Sequence, residues 1–370
     1  MKIVSVEVFP VALPLKKPFS IALGTTTHTF HTIVRIFTDE GIFGFGEGAT
    51  WHVVYGYDQH ALDWAVERHL APAIIGMDPF DIERILLTMD RALPGNLMAK
   101  AGVEIACQDI RGKALGVPLY RLLGGVLTEP VETIEVVDIV PPEEAARMAE
   151  AFAQEGCRFI KIKVGLNGTE DIERVRVVRE TVGPDVYLRV DGNQGYDRAA
   201  AAKVCRAFEP FNLQWIEQPL PYWDIEGLAA LARELATPIA VDESMYGVHD
   251  VYRIAQARAA DVINIKVSKC GGITNSLKIA NAAQAMGLPC FLGGCIETGL
   301  GSTAAIHFAA CCPNLHAGIE MHGSMPFKED ILSEPLIPDR GTLALPKGAG
   351  LGVDVQPDKL ARYSKSGEKV

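Results

Sequence analysis

A parallel β/α barrel preceded by a smaller α+β domain is the fold class that this sequence predicts, on three observations. First, the stretch from Phe159 to Gly165 has the pattern of a strand that points Lys161 and Lys163 to one face. Second, four more short apolar runs follow at intervals of roughly 25 residues, which is the length of one strand, one helix and two loops. Third, each run ends on an ionisable residue, namely Asp191, Glu217, Asp242 and Lys266.

The charged strand ends predict a single site. A lone Lys-x-Lys is more typical of an exposed edge strand, but functional side chains of a parallel barrel lie at the carboxyl ends of its strands. We therefore expect these side chains to share the interior. The predicted barrel strands are Val131 to Val137, Phe159 to Val164, Val186 to Asp191, Gln214 to Glu217, Pro238 to Asp242, Val262 to Lys266, Pro289 to Leu292 and His316 to Glu320.

Composition argues against several classes of protein. The chain has 370 residues, 48% of them hydrophobic, which is enough for a barrel and a second domain. No apolar run has the length of a membrane span or of a signal peptide. A net charge of -11 without a Lys/Arg cluster argues against binding to nucleic acid or to an anionic membrane. Eight cysteines without zinc spacing fit reduced thiols in the cytoplasm.

The first part of the chain predicts the α+β domain. Residues 1 to about 48 have the alternation of antiparallel strands. A helical pattern follows, with Asp58, Asp78 and Asn96 as expected helix caps. The predicted organisation is an α+β capping domain over residues 1–125, a barrel over 126–333, and a C-terminal segment, 334–370, that packs back on the capping domain.

Two segments of this first domain are predicted to be loops near the site. Ser20 to His28 is long, small and polar, and fits either an ordinary surface loop or a lid. Gly48 to Asp58 carries aromatic residues that include Tyr55 and Tyr57. So many aromatic rings in a loop need an apolar partner, either the other domain or a ligand.

Three carboxylates in one partly dry site predict a bound cation. Asp191, Glu217 and Asp242 would repel one another at neutral pH unless a cation or protons balanced them. Their oxygen ligands fit Mg²⁺, with Mn²⁺ as a substitute, and no His/Cys pattern for zinc is present. A metal bound to a substrate carboxylate would also make the α-proton of that substrate removable.

Two lysines are the expected acid/base groups. Lys163 and Lys266 come from the second and sixth strands, nearly opposite in a ring of eight, and would flank the substrate from its two faces. Both need lowered pKa values, which desolvation, nearby Mg²⁺ and the neighbouring Lys161 favour. Lys269, three residues after Lys266, is expected to be a loop lysine.

Five motifs, taken in order, resemble a known family. Together they make the chain resemble the muconate-lactonizing-enzyme subgroup of the enolase superfamily, whose sites pair a lysine or histidine base with Mg²⁺. The resemblance covers essentially the whole chain. It implies a modified (β/α)7β TIM-type barrel under an α+β capping domain, with specificity residues around positions 20 and 50. The motifs are Lys161-x-Lys163, Val190-Asp191-x-Asn193-Gln194, Ile216-Glu217-Gln218-Pro219, Asp242-Glu243-Ser244, and Lys266 before Lys269-x-Gly271-Gly272.

The resemblance implies an isomerase that forms an enolate at the α-carbon of a carboxylate substrate, and a muconate cycloisomerase-like reaction is the main expectation. Glu297 and Glu320 resemble two glutamates of muconate cycloisomerases, and the last strand lacks the Asp-x-Asp expected of dipeptide epimerases. Gly192, in contrast, stands where cycloisomerases usually have valine, and in this it is similar to many racemases. The alternatives are a dipeptide epimerase, an N-acylamino acid racemase, an o-succinylbenzoate synthase or a non-catalytic ligand-binding barrel.

The expected partner is a small-molecule carboxylate, bound by a homo-oligomer that contacts neither nucleic acid nor membrane. The expected catalytic residues are Lys163 and Lys266, and the expected metal ligands are Asp191, Glu217 and Asp242. The expected substrate contacts are Lys161, Asn193, Glu297, Glu320, His28, Tyr55 and Tyr57.

Overall fold

A three-stranded antiparallel sheet forms the N-terminal part of the protein, whose computed structural model describes residues 1–366. Its strands are β1 (Ile3–Ile21), β2 (Gly24–Thr38) and β3 (Phe43–Thr50), in that order. Helices follow and complete the expected α+β cap. They are α1 (His52–Tyr55), α2 (Gln59–Ala65), a π-helical turn (Val66–Leu70), α3 (Ala71–Ile74), α4 (Ile82–Ala92), α5 (Leu97–Leu115) and α6 (Leu119–Leu122).

The prediction of a loop from Ser20 to His28 is wrong, because this segment forms the tip of the β1–β2 hairpin. Ile21 pairs with Gly24, so only Ala22 and Leu23 lie between the two strands. The three threonines that follow are β-branched, and such residues favour extended backbone over a flexible loop. The backbone carbonyl of Ser20 accepts a hydrogen bond from the Ile139 N–H at 3.1 Å, which fixes the hairpin tip against the barrel.

Two of the three predicted helix caps hold their positions. Asp58 accepts a hydrogen bond from the Ala61 N–H at 2.8 Å at the start of α2, and Asn96 directly precedes α5. Asp78 is not a helix cap, since α4 begins at Ile82. The carbonyl of Asp78 instead closes a β-turn with the N–H of Asp81, with proline at the second position of the turn.

The sheet and α5 approach each other through glycines. A Cβ placed on Gly46 of β3 would lie 2.0 Å from the carbonyl oxygen of Gly102 in α5, and one on Gly44 would lie 2.3 Å from that of Ala106. Side chains do not fit at such distances, so the backbones of β3 and α5 are in direct contact. This contact makes α5 the central helix of the cap.

Seven parallel strands form the second sheet, in the order β11-β10-β9-β8-β7-β6-β5. These strands are β5 (Ile134–Val137), β6 (Phe159–Lys163), β7 (Tyr187–Asp191), β8 (Leu213–Glu217), β9 (Ile239–Val241), β10 (Val262–Ile265) and β11 (Cys290–Leu292). A short strand, β4 (Val131–Glu132), precedes them and lies outside this sheet. The helices between them are α7 (Pro142–Gln154), α8 (Gly168–Val182), α9 (Arg198–Phe208) with a 3-10 turn (Glu209–Phe211), α10 (Ile225–Glu234), α11 (Val248–Ala257), α12 (Ile273–Ala285) and α13 (Gly299–Cys311).

The ring is closed by an extended segment rather than by the predicted eighth strand from His316 to Glu320. The N–H of His316 donates to the Cys290 carbonyl at 2.7 Å, and the carbonyl of Ile319 accepts from Ile134 at 2.9 Å, so the segment bridges β11 and β5. Regular pairing fails at Gly318, whose φ is +78° and whose Cβ would lie 2.5 Å from the Phe159 ring. The (β/α)7β type of barrel is confirmed.

Strand parity determines which side chains face the barrel interior. In the β6–β7 register, Lys161 lies opposite Arg189 and Lys163 lies opposite Asp191, and paired residues of parallel strands point to the same face. Ile160 and Ile162 take the other face and are fully buried in the apolar core under the helices. The predicted alternation of β6 is therefore confirmed.

The last described part of the chain returns to the cap. The last elements are β12 (Thr342–Leu343), which pairs with β4, and α14 (Pro357–Ser366), which contacts β1. The Leu119 N–H donates to the Gly350 carbonyl at 2.7 Å. Within residues 1–366, no helix combines the length and apolar character needed to span a membrane.

We predict that Gly46→Ala destabilises the protein, because the added methyl group would overlap the backbone of α5. The free energy of unfolding should fall by about 2 kcal/mol or more, measured by urea unfolding. Gly247→Ala is the control, since Gly247 has a φ of -158° and a methyl group added there would meet no described atom within 4 Å. Equal stability of the two variants would contradict the close packing of β3 on α5.

Candidate active site

The carboxyl ends of the barrel strands bring lysines and carboxylates together in a buried layer. Lys161 and Lys163 end β6, and both are almost completely buried. The Nζ of Lys161 lies 2.7 Å from Glu217 Oε2 and 2.8 Å from Glu320 Oε2. The Nζ of Lys163 lies 2.6 Å from Asp191 Oδ2. Each of these five buried charges therefore has at least one partner of opposite sign.

Asp242 is shared by two lysines from the opposite side of the barrel. Its Oδ2 lies 2.7 Å from Lys266 Nζ and its Oδ1 lies 2.7 Å from Lys269 Nζ. Lys269 also donates to the carbonyl of Asn264 at 3.2 Å and is fully buried. Lys269 lies in the turn after β10, as a loop lysine should, but this turn folds it back beneath the site, where it contacts Asp242.

The pKa values of two carboxyl groups indicate that the lysines do not fully balance the negative charges of this layer. Burial and the neighbouring Asp191 raise the pKa of Glu217 to about 7. Burial and the neighbouring Asp242 raise the pKa of Glu243 to about 8. Two of the carboxyl groups thus resist ionisation at neutral pH, as expected where acidic groups outnumber bases.

The pKa of Lys266 moves opposite to the expected direction. Burial alone would lower it, but the Asp242 carboxylate outweighs burial and holds the pKa well above its usual range. The same competition raises the pKa of Lys161, because Glu217 and Glu320 outweigh its burial. Both lysines are therefore charged in the protein alone, and loss of the Lys266 proton requires another positive charge at Asp242.

The three expected metal ligands have the chemistry for a hard divalent cation, although their oxygens face lysines. Glu217 Oε2 and Asp242 Oδ2 are buried, and each lies 2.7 Å from a lysine Nζ without hydrogen-bond geometry. Over residues 1–366, no three His, Cys, Asp or Glu side chains are grouped to hold a metal ion. The donor set of Asp191, Glu217 and Asp242, all oxygens, still fits Mg²⁺.

A cavity of about 500 Å³ lies above this layer, between the barrel and the cap. Lys163, Lys266, Asn193 and Glu320 form part of its floor. The walls are mostly apolar and come from the hairpin tip, the segment after β3 that includes α1, the turn after β11 and the segment after Glu320. They include Phe19, Ile21, Trp51, Val54, Ile296 and Met325. Such a mixture of apolar walls and few polar groups is typical of a small-molecule site.

Tyr55 joins the cap to the buried layer of charged side chains. Its hydroxyl accepts a hydrogen bond from Lys266 Nζ at 2.9 Å and lies 3.5 Å from Cys295 Sγ. Burial raises the pKa of Tyr55 well above its usual range, so the phenol stays protonated. A residue of the cap thus helps to orient a lysine of the barrel.

Other predicted substrate contacts do not reach this cavity. His28 lines a neighbouring pocket of about 120 Å³ together with Trp51. The Tyr57 ring packs on the apolar core of the cap. Glu297 is buried beside the site, where its Oε2 accepts the Cys295 N–H at 2.7 Å, and burial raises its pKa to about 7.

A second contact between the domains is centred on Glu47 of β3. This fully buried carboxylate accepts hydrogen bonds from the N–H groups of Thr298 at 3.0 Å and Gly301 at 2.8 Å, at the start of α13. His31 Nδ1 lies 2.9 Å from Glu47 Oε1. The cap therefore supplies the anionic group at the N-terminus of a barrel helix, where the helix dipole favours negative charge.

Sequence reasoning missed three residues of the site. Glu243 directly follows Asp242 beyond the end of β9, and its Oε1 lies 3.4 Å from Asn193 Nδ2. The contact of Lys269 with Asp242 could not be predicted, because it depends on how the turn after β10 folds. Glu135 is the single charged residue of β5, and an isolated charge in an apolar strand is a signal that sequence reasoning could have used.

Comparisons with known proteins show the family to which the chain belongs. The family model described as "Mandelate racemase / muconate lactonizing enzyme, N-terminal domain" matches residues 3–124, and "Enolase C-terminal domain-like" matches residues 143–359. The N-succinyl-L-Arg/Lys racemase of Bacillus cereus is 36% identical over 97% of both chains. Its crystal structure has a TM-score of 0.95, with 98% of each chain covered.

Two further relatives represent the other activities of the family. A dipeptide epimerase of Enterococcus faecalis, in complex with Mg and L-Leu-L-Tyr, is 35% identical, has a TM-score of 0.91 and covers 96% of this chain and 100% of its own. Muconate cycloisomerase 1 of Rhodococcus opacus is 32% identical over 99% of both chains. All of these relatives are isomerases. The chain is accordingly an isomerase that belongs to the mandelate racemase and muconate lactonizing enzyme family of the enolase superfamily.

Proposed function

We propose that this isomerase is a racemase that inverts the α-carbon of an N-acylated amino acid, with Mg²⁺ as its cofactor. The observation that carries the proposal is the position of Lys163 and Lys266 in one cavity. Lys163 ends β6 and Lys266 follows β10, and three strands, β7 to β9, separate them in the sheet order. Two bases on opposite walls are what inversion requires, because the proton must leave one face and arrive on the other.

The lysines would carry out two proton transfers. One lysine, as the neutral amine, takes the α-proton, and the C–H electron pair passes into the substrate carboxylate to form an enediolate. The other lysine, as the ammonium, then donates its proton to the opposite face and restores the C–H bond. A divalent cation held by Asp191, Glu217 and Asp242 would bind the substrate carboxylate and stabilise the negative charge that develops on it.

Lys269 supports the change in protonation of Lys266. Both ammonium groups contact Asp242 at 2.7 Å, on different oxygens. When Lys266 is neutral, Lys269 still compensates the buried carboxylate, so no uncompensated charge is left in the core. Tyr55 holds Lys266 in place through its hydroxyl, at 2.9 Å.

The charge state of Glu320, in the segment that closes the barrel, supports a substrate with an acylated amino group rather than a free ammonium. Glu320 is the acidic residue of the closing segment, and its Oε2 is already 2.8 Å from Lys161 Nζ. Burial would raise the pKa of Glu320, but Lys161 and Lys163 outweigh it and lower the pKa to about 2. A carboxylate held this firmly by lysines is a poor receptor for the N-terminal ammonium of a dipeptide.

Muconate cycloisomerization is the second candidate. It was the main expectation from the sequence, but the identities of the relatives support it less than racemization. A cycloisomerase covers 99% of this chain, but at 32% identity, against 36% for the racemase. A lactonizing reaction also needs one proton-transferring lysine rather than two.

We predict that, in D₂O, the protein exchanges the α-proton of N-acylamino acids for deuterium and interconverts their enantiomers. Lys163→Met and Lys266→Met should each slow racemization by about 100-fold or more, since each removes one of the two proton carriers. Each variant should still exchange the α-proton of one enantiomer, measured by NMR. Lys278→Met is the control, because Lys278 is partly exposed on α12 and pairs with Glu83, away from the cavity. Full racemization by either site variant would exclude that lysine.

We predict that EDTA abolishes racemization and that Mg²⁺ restores it. Glu217→Gln should weaken Mg²⁺ binding by about tenfold or more, measured by titration calorimetry, because it removes a charged ligand from a buried site. Glu226→Gln, a change to the exposed start of α10, should leave Mg²⁺ binding unchanged. Undiminished activity in chelated protein would contradict the metal assignment.

A further inference from the structure

Gln218 directly follows Glu217 at the end of β8, and its buried side-chain amide is fully hydrogen-bonded within the protein. The oxygen Oε1 accepts hydrogen bonds from the Asp242 N–H at 3.0 Å and the Ser244 N–H at 3.2 Å. The nitrogen Nε2 donates to the Leu220 carbonyl at 2.8 Å and to Ser244 Oγ at 2.9 Å. A glutamine amide has two acceptor sites and two N–H groups, so all of its capacity is used here.

The backbone of Gln218 links the turns on either side of β8. Its N–H donates to the Ala240 carbonyl at 2.8 Å, and its carbonyl accepts the Gln194 N–H at 2.8 Å. Its φ of +33° is uncommon for a residue with a side chain. Such a conformation persists only where surrounding contacts fix it, and the contacts of the side chain with the turn after β9 do so here.

The turn after β9 begins with Asp242, whose carboxylate is shared by Lys266 and Lys269. Each lysine lies 2.7 Å from a different oxygen of this carboxylate, so a rotation of the carboxylate changes both contacts. Asp242 lies just beyond β9, which ends at Val241. At this point the Gln218 amide holds the backbone of Asp242, and it thereby fixes the carboxylate that the two lysines share.

Lys163, the other proposed proton carrier, does not depend on this contact. Its Nζ lies 2.6 Å from Asp191 Oδ2. Within residues 1–366, the hydrogen bonds of the Gln218 amide reach the turns after β8 and β9, and none reaches Lys163 or Asp191. The side chain of Gln218 therefore acts on one of the two lysines and not on the other.

We propose that Gln218 is a positioning residue for Lys266, which acts through Asp242. This inference rests on the proposed racemase function. The amide holds the backbone of Asp242, and the Asp242 carboxylate in turn holds Lys266 on its own side of the cavity. Without the amide, the N–H groups of Asp242 and Ser244 lose their acceptor, and the carboxylate is free to shift. A displacement of about 1 Å at a reacting group can slow a reaction by about 100-fold.

Gln218→Met tests this proposal, because methionine keeps the length of the side chain but removes the amide. Exchange of the α-proton in D₂O is followed by NMR, separately for the two enantiomers of an N-acylamino acid that the unmodified protein racemizes, at saturating Mg²⁺. The Lys163→Met variant identifies the enantiomer whose α-proton faces Lys266. In Gln218→Met, exchange from this enantiomer should slow by about tenfold or more, and exchange from the other by at most about threefold.

A second readout needs no substrate. Asp242 is one of the proposed Mg²⁺ ligands, so Gln218→Met should weaken Mg²⁺ binding by about tenfold or more, measured by titration calorimetry. Ser244→Ala removes the hydrogen bond between Gln218 Nε2 and Ser244 Oγ and leaves the Asp242 contact in place. It should change both readouts in the same direction by a smaller factor, and it tests the proposal if Gln218→Met does not fold.

Gln108→Met is the matched control. Gln108 is a buried glutamine of α5 whose amide is bonded to Glu104, Thr274 and Arg111, so its loss also removes buried amide hydrogen bonds but leaves Asp242 untouched. Exchange from both enantiomers and Mg²⁺ affinity should stay within about twofold of the values for the unmodified protein.

The outcomes separate this inference from the proposed function. Equal slowing of both enantiomers in Gln218→Met would place the effect on the metal site or on the whole fold and would overturn the assignment to Lys266, as would undiminished exchange. If the unmodified protein exchanges the α-proton of no N-acylamino acid, the proposed racemase function fails. Mg²⁺ binding then decides whether Gln218 positions Asp242: unchanged affinity in Gln218→Met would overturn that contact as a positioning contact, and weakened affinity would support it.

Discussion

The burial of many charges in one layer is the constraint on which the structure of this protein depends. Four lysines, Lys161, Lys163, Lys266 and Lys269, are held against the carboxylates of Asp191, Glu217, Asp242 and Glu320 at distances of 2.6 to 3.7 Å. An unpaired charge at such depth costs several kcal/mol, so each group needs its partner in place. The parallel register meets this need, because it sets the ends of neighbouring strands side by side.

This layer also explains why two domains are necessary. The barrel alone presents its lysines to open solvent at the carboxyl ends of the strands, where water would weaken every ion pair. The cap closes that end through specific contacts, including Tyr55 on Lys266 and the Ala49 N–H, which donates to Ser268 Oγ at 3.0 Å. The apolar residues of the hairpin tip then cover the cavity above the lysines and limit the access of water to it.

The barrel could be predicted from sequence because its signals are local. Each apolar run ends in a charged residue, and side chains alternate between the two faces of a strand. These two signals were sufficient to predict that Lys163 and Asp191 lie on the same face. The hairpin tip and the fold of the turn that buries Lys269 could not be predicted, because tertiary contacts decide them. The substrate contacts were the weakest part, since Tyr57 turns into the core of the cap while Glu135, which lines the cavity, was overlooked.

The contact of Glu47 with α13 has a consequence for how such proteins diverge. The first turn of this barrel helix is completed by a carboxylate from another domain, 251 positions earlier in the chain than Thr298. The two domains therefore cannot be exchanged freely among relatives by recombination, because a foreign cap without this carboxylate would leave buried N–H groups without an acceptor. New substrate preferences in this fold should arise by point substitution in the cavity walls, with the two domains inherited together.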